Sequence, residues 1–434
     1  MERLKRLDTK HPELKYFAVF FVFLFLYNLI YVCQLKGFHI TDITYSYHLV
    51  DYKMGFVVSF FAGELLHLIF NNRVGPAQVT AFHVVLILFI FAFVSAVLAK
   101  IIAQKENRQD RKTLFLLSMF MLSGPCSFAI YTLRLGMLDI YFILFAVLFF
   151  IAVSNRVLKY TVPALYVLSV INHYSALVTV IMLFSLLLLY KTAVSEKKKD
   201  KIIYLCIFAV GIIAGAAMTG YLLKTREANL VYDMEGFNRE LRRRCQENNT
   251  DLYYDIYYDS TIYRYYPVDG KNIELSYPIE YFFPHGARFI PAILAPALAE
   301  VLSYLKFNMF IIFANISVFV GIVAVVFLVT LPVLALFTGM WVTLIKNSEN
   351  KLKKLIYVLA IIQVPFTFIG GCAFSGDPMR WSTFGMLMQF VLVFTVAGHE
   401  ENAFEYLKRK ISRINMRWLA VYFILYSAIV IEPY

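Results

Sequence analysis

The chain has 434 residues and a formal net charge of +12, with 60% hydrophobic and only 16% charged residues, and its mean hydropathy is +0.66. A soluble domain carries about 25% charged residues, and it keeps too much wet surface to hide this apolar content. A soluble enzyme, a disordered chain and a collagen-like repeat are thereby excluded. What remains is an all-α polytopic membrane protein.

The positive charge sits in short clusters between apolar runs, the pattern of loops on one membrane face rather than of a groove that tracks phosphates, so no nucleic-acid partner is expected. The five cysteines, Cys33, Cys126, Cys206, Cys245 and Cys372, are an odd number without CxxC spacing. Four lie in or beside apolar segments and read as small buried hydrophobes, with no metal and no disulfide framework expected.

A bilayer core needs ~20 apolar residues per helix. In chain order the apolar runs are 16–33, 79–102, 113–132, 139–155, 160–171, 175–190, 202–223, 308–345, 355–374, 382–398 and 418–432. The first follows a basic start and lacks a small-residue cleavage site, so it reads as a retained anchor. The runs 160–171 and 175–190 are short and suggest a hairpin with its tip at Asn172, His173 and Tyr174. The 308–345 run is long enough for one tilted helix or two. Eleven spans are expected, with thirteen as the upper bound, together with interfacial helices and one long outer loop. The chain divides into an N-terminal membrane region (1–224) whose first outer loop is 34–78, a Tyr-rich loop (225–306), and a C-terminal membrane region (307–434).

Placing the N-terminus in the cytoplasm puts segments 2–15, 100–112, 156–159, 191–201, 346–354 and 408–417 inside. They hold 26 of the 41 Lys and Arg residues, which is the orientation the positive-inside rule selects for a multi-pass protein of the cytoplasmic membrane. The remaining informative segments then gather on the outer face.

The first outer loop carries Asp42, His48, Asp51 and Lys53 close behind a membrane exit, and an apolar stretch to Phe70 interrupted by Glu64 and His67 reads as an interfacial helix. A carboxylate at a hydrocarbon boundary is partly desolvated and becomes a stronger base. Asp42 and Asp51 are therefore candidates to take a proton from a sugar hydroxyl. The plainer account is that they cap helices at the headgroup level. Arg134 and Asp139 bracket a tight outer turn and can pair with each other, or Arg134 can hold a lipid phosphate. His173 and Tyr174 sit on the hairpin tip. The run Asp377, Pro378, Met379, Arg380, Trp381 places a cation beside a flat ring, suited either to phosphate and sugar or to simple anchoring at the interface. The long loop packs tyrosines at 253–266 behind a basic patch at 239–244, either as a cap or as an acceptor site. No Asp-x-Asp pair occurs in the outer segments, so a divalent cation held by such a pair is not indicated, and no P-loop, GxGxxG, GxSxG or HExxH occurs in the chain, which speaks against nucleotide-driven chemistry, serine hydrolysis and zinc hydrolysis.

A basic start, a first helix, a carboxylate-bearing outer loop and many further spans resemble the GT-C superfamily of integral-membrane glycosyltransferases. The resemblance implies an acidic base in the first outer loop, matched here by Asp42 with Tyr45 and Tyr47 behind it and Asp51 as its rival, and a sugar donor on polyprenyl phosphate or diphosphate. Ile43 follows Asp42 where many members carry a second acid. The Asp377 to Trp381 run is also similar to an Asp-x-x-Arg-Trp element of bacterial surface-polysaccharide membrane proteins, and the chain resembles bacterial polysaccharide polymerases in its span number.

The expectation is a glycosyltransferase that moves a sugar from a polyprenyl-linked donor to a glycan or lipid-linked acceptor, among membrane lipids and without a cofactor. Lys53, Arg134, His173, Tyr174, Asp377, Arg380 and Trp381 would serve the donor and its phosphate. A repeat-unit polymerase for O-antigen or capsule is the alternative, with a lipid-linked oligosaccharide flippase or transporter behind it. A transporter would need charges inside its spans and an internal repeat.

Overall fold

The computed structural model of the protein describes residues 11–34, 39–40, 42–56, 59–124, 128, 134–225, 231–232, 234–248, 256–258, 263–265, 316–374 and 378–428. Among them the fold is helical apart from two short pairs of extended segments. In the first half the helices are α1 (Pro12–Gln34), α2 (Asp42–Leu49), α3 (Phe61–Ile69), α4 (Pro76–Ala103), α5 (Arg108–Leu122), α6 (Ile140–Ser154), α7 (Val162–Asn172), α8 (Val180–Val194) and α9 (Lys198–Thr225). They continue with α10 (Met234–Glu247), α11 (Ile316–Asn347), α12 (Lys351–Phe374), α13 (Pro378–Ala397), α14 (Glu401–Ser412) and α15 (Met416–Ala428).

A helix stands on each of the eleven apolar runs, and among the described residues seven helices are long and apolar enough to cross a membrane. The protein is thus multi-pass, and the seven fall short of the eleven expected for identifiable reasons. The helices α6 and α15 are apolar but only 15 and 13 residues long. The 160–190 region breaks into α7 and α8 around a 3-10 turn at Tyr174–Leu177, as its short runs suggested. Helix α5 begins in charged sequence, where the Asn107 side chain caps it by accepting from the Gln109 amide at 2.8 Å. The described part of the 308–345 run is one continuous helix, α11, which carries Pro332 in its interior.

Burial follows membrane logic. Large apolar side chains point outward, among them Val85, Ile213, Leu328 and Ile369, where a bilayer takes the place of a protein interior. Helix α9 buries little of its apolar window, and Cys206 on it faces outward rather than inward as expected, its apolar surroundings then supplied by lipid. Cys245 is buried, and the side chains of Cys33, Cys126 and Cys372 lie outside the described residues. Polar groups turn inward and find partners there. Gln363 donates to Thr367, whose hydroxyl donates to the Val178 carbonyl, and Gln389 donates to the Ala360 carbonyl.

The loops segregate to two ends. At one, Lys408 pairs with Asp110 at 3.2 Å, Lys353 pairs with Glu400 at 2.5 Å, and Lys159 lies over the Tyr204 ring. The first of these contacts joins the 100–112 and 408–417 segments, and the others tie 346–354 to the start of α14 and 156–159 to the start of α9, at the basic end. At the other end, the Ser59 amide donates to the Ile171 carbonyl, the Val231 amide to the Met54 carbonyl, and the Asn172 side chain to the Leu138 carbonyl.

Candidate functional site

At this second end, β1 (His39–Ile40) pairs in parallel with β2 (Arg134–Leu135), register His39 with Arg134 and Ile40 with Leu135. The pairing sets the start of α2, and hence Asp42, beside the tight turn after β2. Gly136 adopts φ +89°, and a Cβ there would sit 3.1 Å from the Thr44 Cβ, so α2 packs directly on the turn. The side chains of Asp42 and Arg134 lie outside the described residues, as does Asp377.

The turn leads into Asp139, which is buried and pairs with Arg380 at 3.1 Å. The sequence offered Arg134 as a partner of Asp139, a pairing that lies outside the described residues; the described contact of this carboxylate is with Arg380 at the start of α13. The Arg380 guanidinium stacks over the fully buried Trp381 ring at 4.6 Å. Trp381 is seated by Gly371, where a Cβ would come within 2.3 Å of the indole.

His173 belongs to this cluster. It separates α7 from the 3-10 turn, and its Nδ1 accepts from the Ser175 amide at 3.1 Å and lies 2.8 Å from the Ser175 hydroxyl. Loss of solvent, reinforced by the nearby Arg380 charge, pushes its pKa down to about 3. With Nδ1 accepting, the neutral ring keeps its proton on Nε2, so His173 is a hydrogen-bond donor at neutral pH rather than an acid. Tyr174 is buried beside it. Three segments singled out in the sequence, the 133–139 turn, the hairpin tip and the Arg380, Trp381 pair, are thus brought together.

Asp51 enters a second cluster. It is buried, and its Oδ1 accepts from Arg244 at 3.1 Å and from the Lys53 amide at 3.2 Å. Arg244 also donates to the Leu49 carbonyl at 2.6 Å and pairs with Glu240 at 2.9 Å. Arg243 and then Arg244 hold Glu240 down to about 2. His67 lies 3.1 Å from the Leu49 carbonyl and is held neutral by burial. Glu64 accepts from the Tyr52 amide at 3.0 Å. The Lys53 side chain is exposed and donates to Asn72 at 3.1 Å. This cluster fastens α10 from the long loop onto the first outer segment. Phe237, Leu241 and Cys245, spaced by four, form the buried stripe beneath it, with Phe237 stacked on Phe60.

A third group was not foreseen. His48 on α2 and His83 on α4 meet edge to face at 4.8 Å, and His83 meets Tyr141 at 5.9 Å. Each Nδ1 donates to a carbonyl one helical turn back, of Thr44 at 2.6 Å and Val79 at 2.8 Å. Each Nε2 and the Tyr141 hydroxyl have no hydrogen-bond partner among the described residues. Burial, and then His83, hold His48 well below the ordinary imidazole range. The signal available in the sequence was His83 itself, an ionisable residue inside an apolar run.

Among the described residues no group of three or more His, Cys, Asp or Glu side chains is placed to hold a metal ion. Compared with protein-family models, curated proteins and solved structures, the chain matches none.

Proposed function

We propose that the protein is a glycosyltransferase of the cytoplasmic membrane, with its N-terminus in the cytoplasm, that takes a sugar from a polyprenyl-(di)phosphate donor at the end of the bundle opposite the basic loops. Eleven to thirteen crossings belong to the same reading. One observation carries it: Arg380, stacked on Trp381 and paired with Asp139, lies close enough to His173 to depress its titration. That joins a guanidinium and a neutral N–H donor from two separate parts of the chain, groups suited to a phosphate.

In the reaction, the acceptor hydroxyl oxygen bonds to the anomeric carbon of the donor as the bond from that carbon to the phosphate oxygen breaks. The hydroxyl proton passes to a carboxylate, and the polyprenyl phosphate leaves with its electron pair. Asp42, at the start of α2 beside the Gly136 turn, is the base in this scheme. Asp51, already committed to Arg244, positions the first outer segment. Arg380 and His173 stabilise charge on the leaving phosphate, with Arg134 and Asp377 as further donor contacts.

The test is transfer of labelled sugar from a synthetic polyprenyl-phosphate donor by purified protein in lipid. Asp42→Asn and Arg380→Lys should each abolish transfer while the protein still elutes as a single folded species. Full activity in both variants overturns the reading. Product length assigns the reaction, one added sugar for a transferase and a ladder for a repeat-unit polymerase.

A further inference from the structure

A cavity of about 770 Å³ lies between α4, α6, α8 and α13, within the ~300–1,000 Å³ range of pockets that take organic ligands. Its walls are apolar, formed by residues such as Ala146, Phe150, Leu187 and Val391. Val97 and Ile151 line it and also face outward, so it is open to the surroundings of the bundle. At the site end it closes on Phe142 and Phe384, which meet edge to face at 5.9 Å.

The other end is different in kind. Gln104, Lys105, Asn155, Lys191 and His399 line the cavity where the helices reach the basic loops. Lys105, which lines this mouth, also lies 4.6 Å from the centre of the Phe404 ring. Among the described residues neither Lys105 nor Lys191 has a carboxylate within ion-pair distance. Glu400, beside His399, is held by Lys353 and the Tyr190 hydroxyl. Two ammonium groups without counter-ions at the rim of an apolar chamber are complementary to one anionic head on apolar tails.

We propose that this cavity binds an anionic phospholipid from the leaflet on the basic side, its phosphate at Lys105 and Lys191 and its acyl chains between α4, α6, α8 and α13. The site is separate from the Arg380 cluster, and the inference does not depend on the glycosyltransferase reading.

The test is native mass spectrometry of the full chain released from detergent with phosphatidylglycerol, phosphatidylcholine or polyprenyl phosphate of matched concentration. Phosphatidylglycerol should be retained over phosphatidylcholine by about tenfold or more, as expected for two lysines acting on one anionic head. The double variant Lys105→Gln with Lys191→Gln should lose that preference, and Ala146→Phe, which fills the chamber, should lose retention of both phospholipids. Equal retention of the two by the native protein overturns the proposal, as does an unchanged preference in the double variant. Preferential retention of polyprenyl phosphate, abolished by Ala146→Phe, would give the chamber to a prenyl tail and overturn it equally. Variants are compared only where their melting temperatures match the native protein's; if the double glutamine variant fails that check, Lys105→Arg with Lys191→Arg must keep the preference, and its loss also counts against the site.

Discussion

The Arg380 guanidinium lies 3.1 Å from the carboxylate of Asp139 and 4.6 Å from the centre of the Trp381 ring. Asp139 is almost fully withdrawn from solvent and Arg380 largely so, so neither charge can be left alone without cost.

Removing one partner of this pair therefore destabilises the protein. Asp139→Ala is expected to cost roughly 3–5 kcal/mol, because it takes a carboxylate away from a largely buried guanidinium. Arg380→Lys should cost less, since it keeps the charge but loses the planar fork and the stacking on Trp381. Unfolding in detergent followed by tryptophan fluorescence checks the order, and an Asp139→Ala variant as stable as the native protein would show the pair to be energetically idle.

Asp51 and Arg244 hold α10 to the first outer segment. Arg244→Met leaves Asp51 buried without its cation, and α10 should detach. Amide hydrogen exchange should rise across 234–248 while α4 and α13 stay protected. Protection unchanged in α10 would mean that the apolar stripe of Phe237, Leu241 and Cys245 suffices.

His173 makes stability depend on pH in a stated direction. Its folded pKa, about 3, lies below the unfolded value of about 6.5. Between the two the unfolded state binds more protons, so stability is complete above pH 6.5 and falls as the pH drops toward 3. His48 and His67, also depressed, add to the same slope. His173→Gln should melt at a temperature less sensitive to pH between 6.5 and 4, with little change at pH 8. A slope identical to the native protein's would contradict the lowered titration of this ring.

Two glycines mark approaches too close for any side chain. A Cβ on Gly63 of α3 would stand 1.7 Å from the Val50 carbonyl oxygen, a backbone atom that cannot swing away. Gly63→Ala should push α3 off the first outer segment and lower expression of folded protein sharply. Gly371→Ala meets the Trp381 indole, which is better able to shift, so its effect should be milder and should appear as altered tryptophan emission. Equal behaviour of the two variants would count against this packing.

Much of the fold could be read directly from the chain, because a bilayer forces long apolar runs into helices. Helix α9 over 202–223 and helix α12 over 355–374 show how well this works. The rule says less where a run is short: in the 160–190 region the short runs marked the break at His173, but not the 3-10 turn that follows it. At the site, Arg380 and Trp381 were legible because charge beside an aromatic ring is conspicuous at the edge of an apolar run. Their partner was not. Asp139 had Arg134 nearby in sequence, and only three-dimensional packing brings α13 to it. Arg244 was hidden for the same reason, lying in a basic patch with nothing local to say which of its arginines turns inward to Asp51.

Tyr27 on α1 donates to the Ser427 carbonyl at 2.8 Å, a partner 400 residues away in the chain, and accepts from the Gly124 amide, 97 residues away. At ~5–20 residues per second, a ribosome needs roughly 20–80 s to deliver the distant one. The bond from this phenol to the Ser427 carbonyl can form only once that interval has passed. Assembly of the bundle is therefore obliged to finish after most of it has been made, when α15 arrives to close this contact with α1.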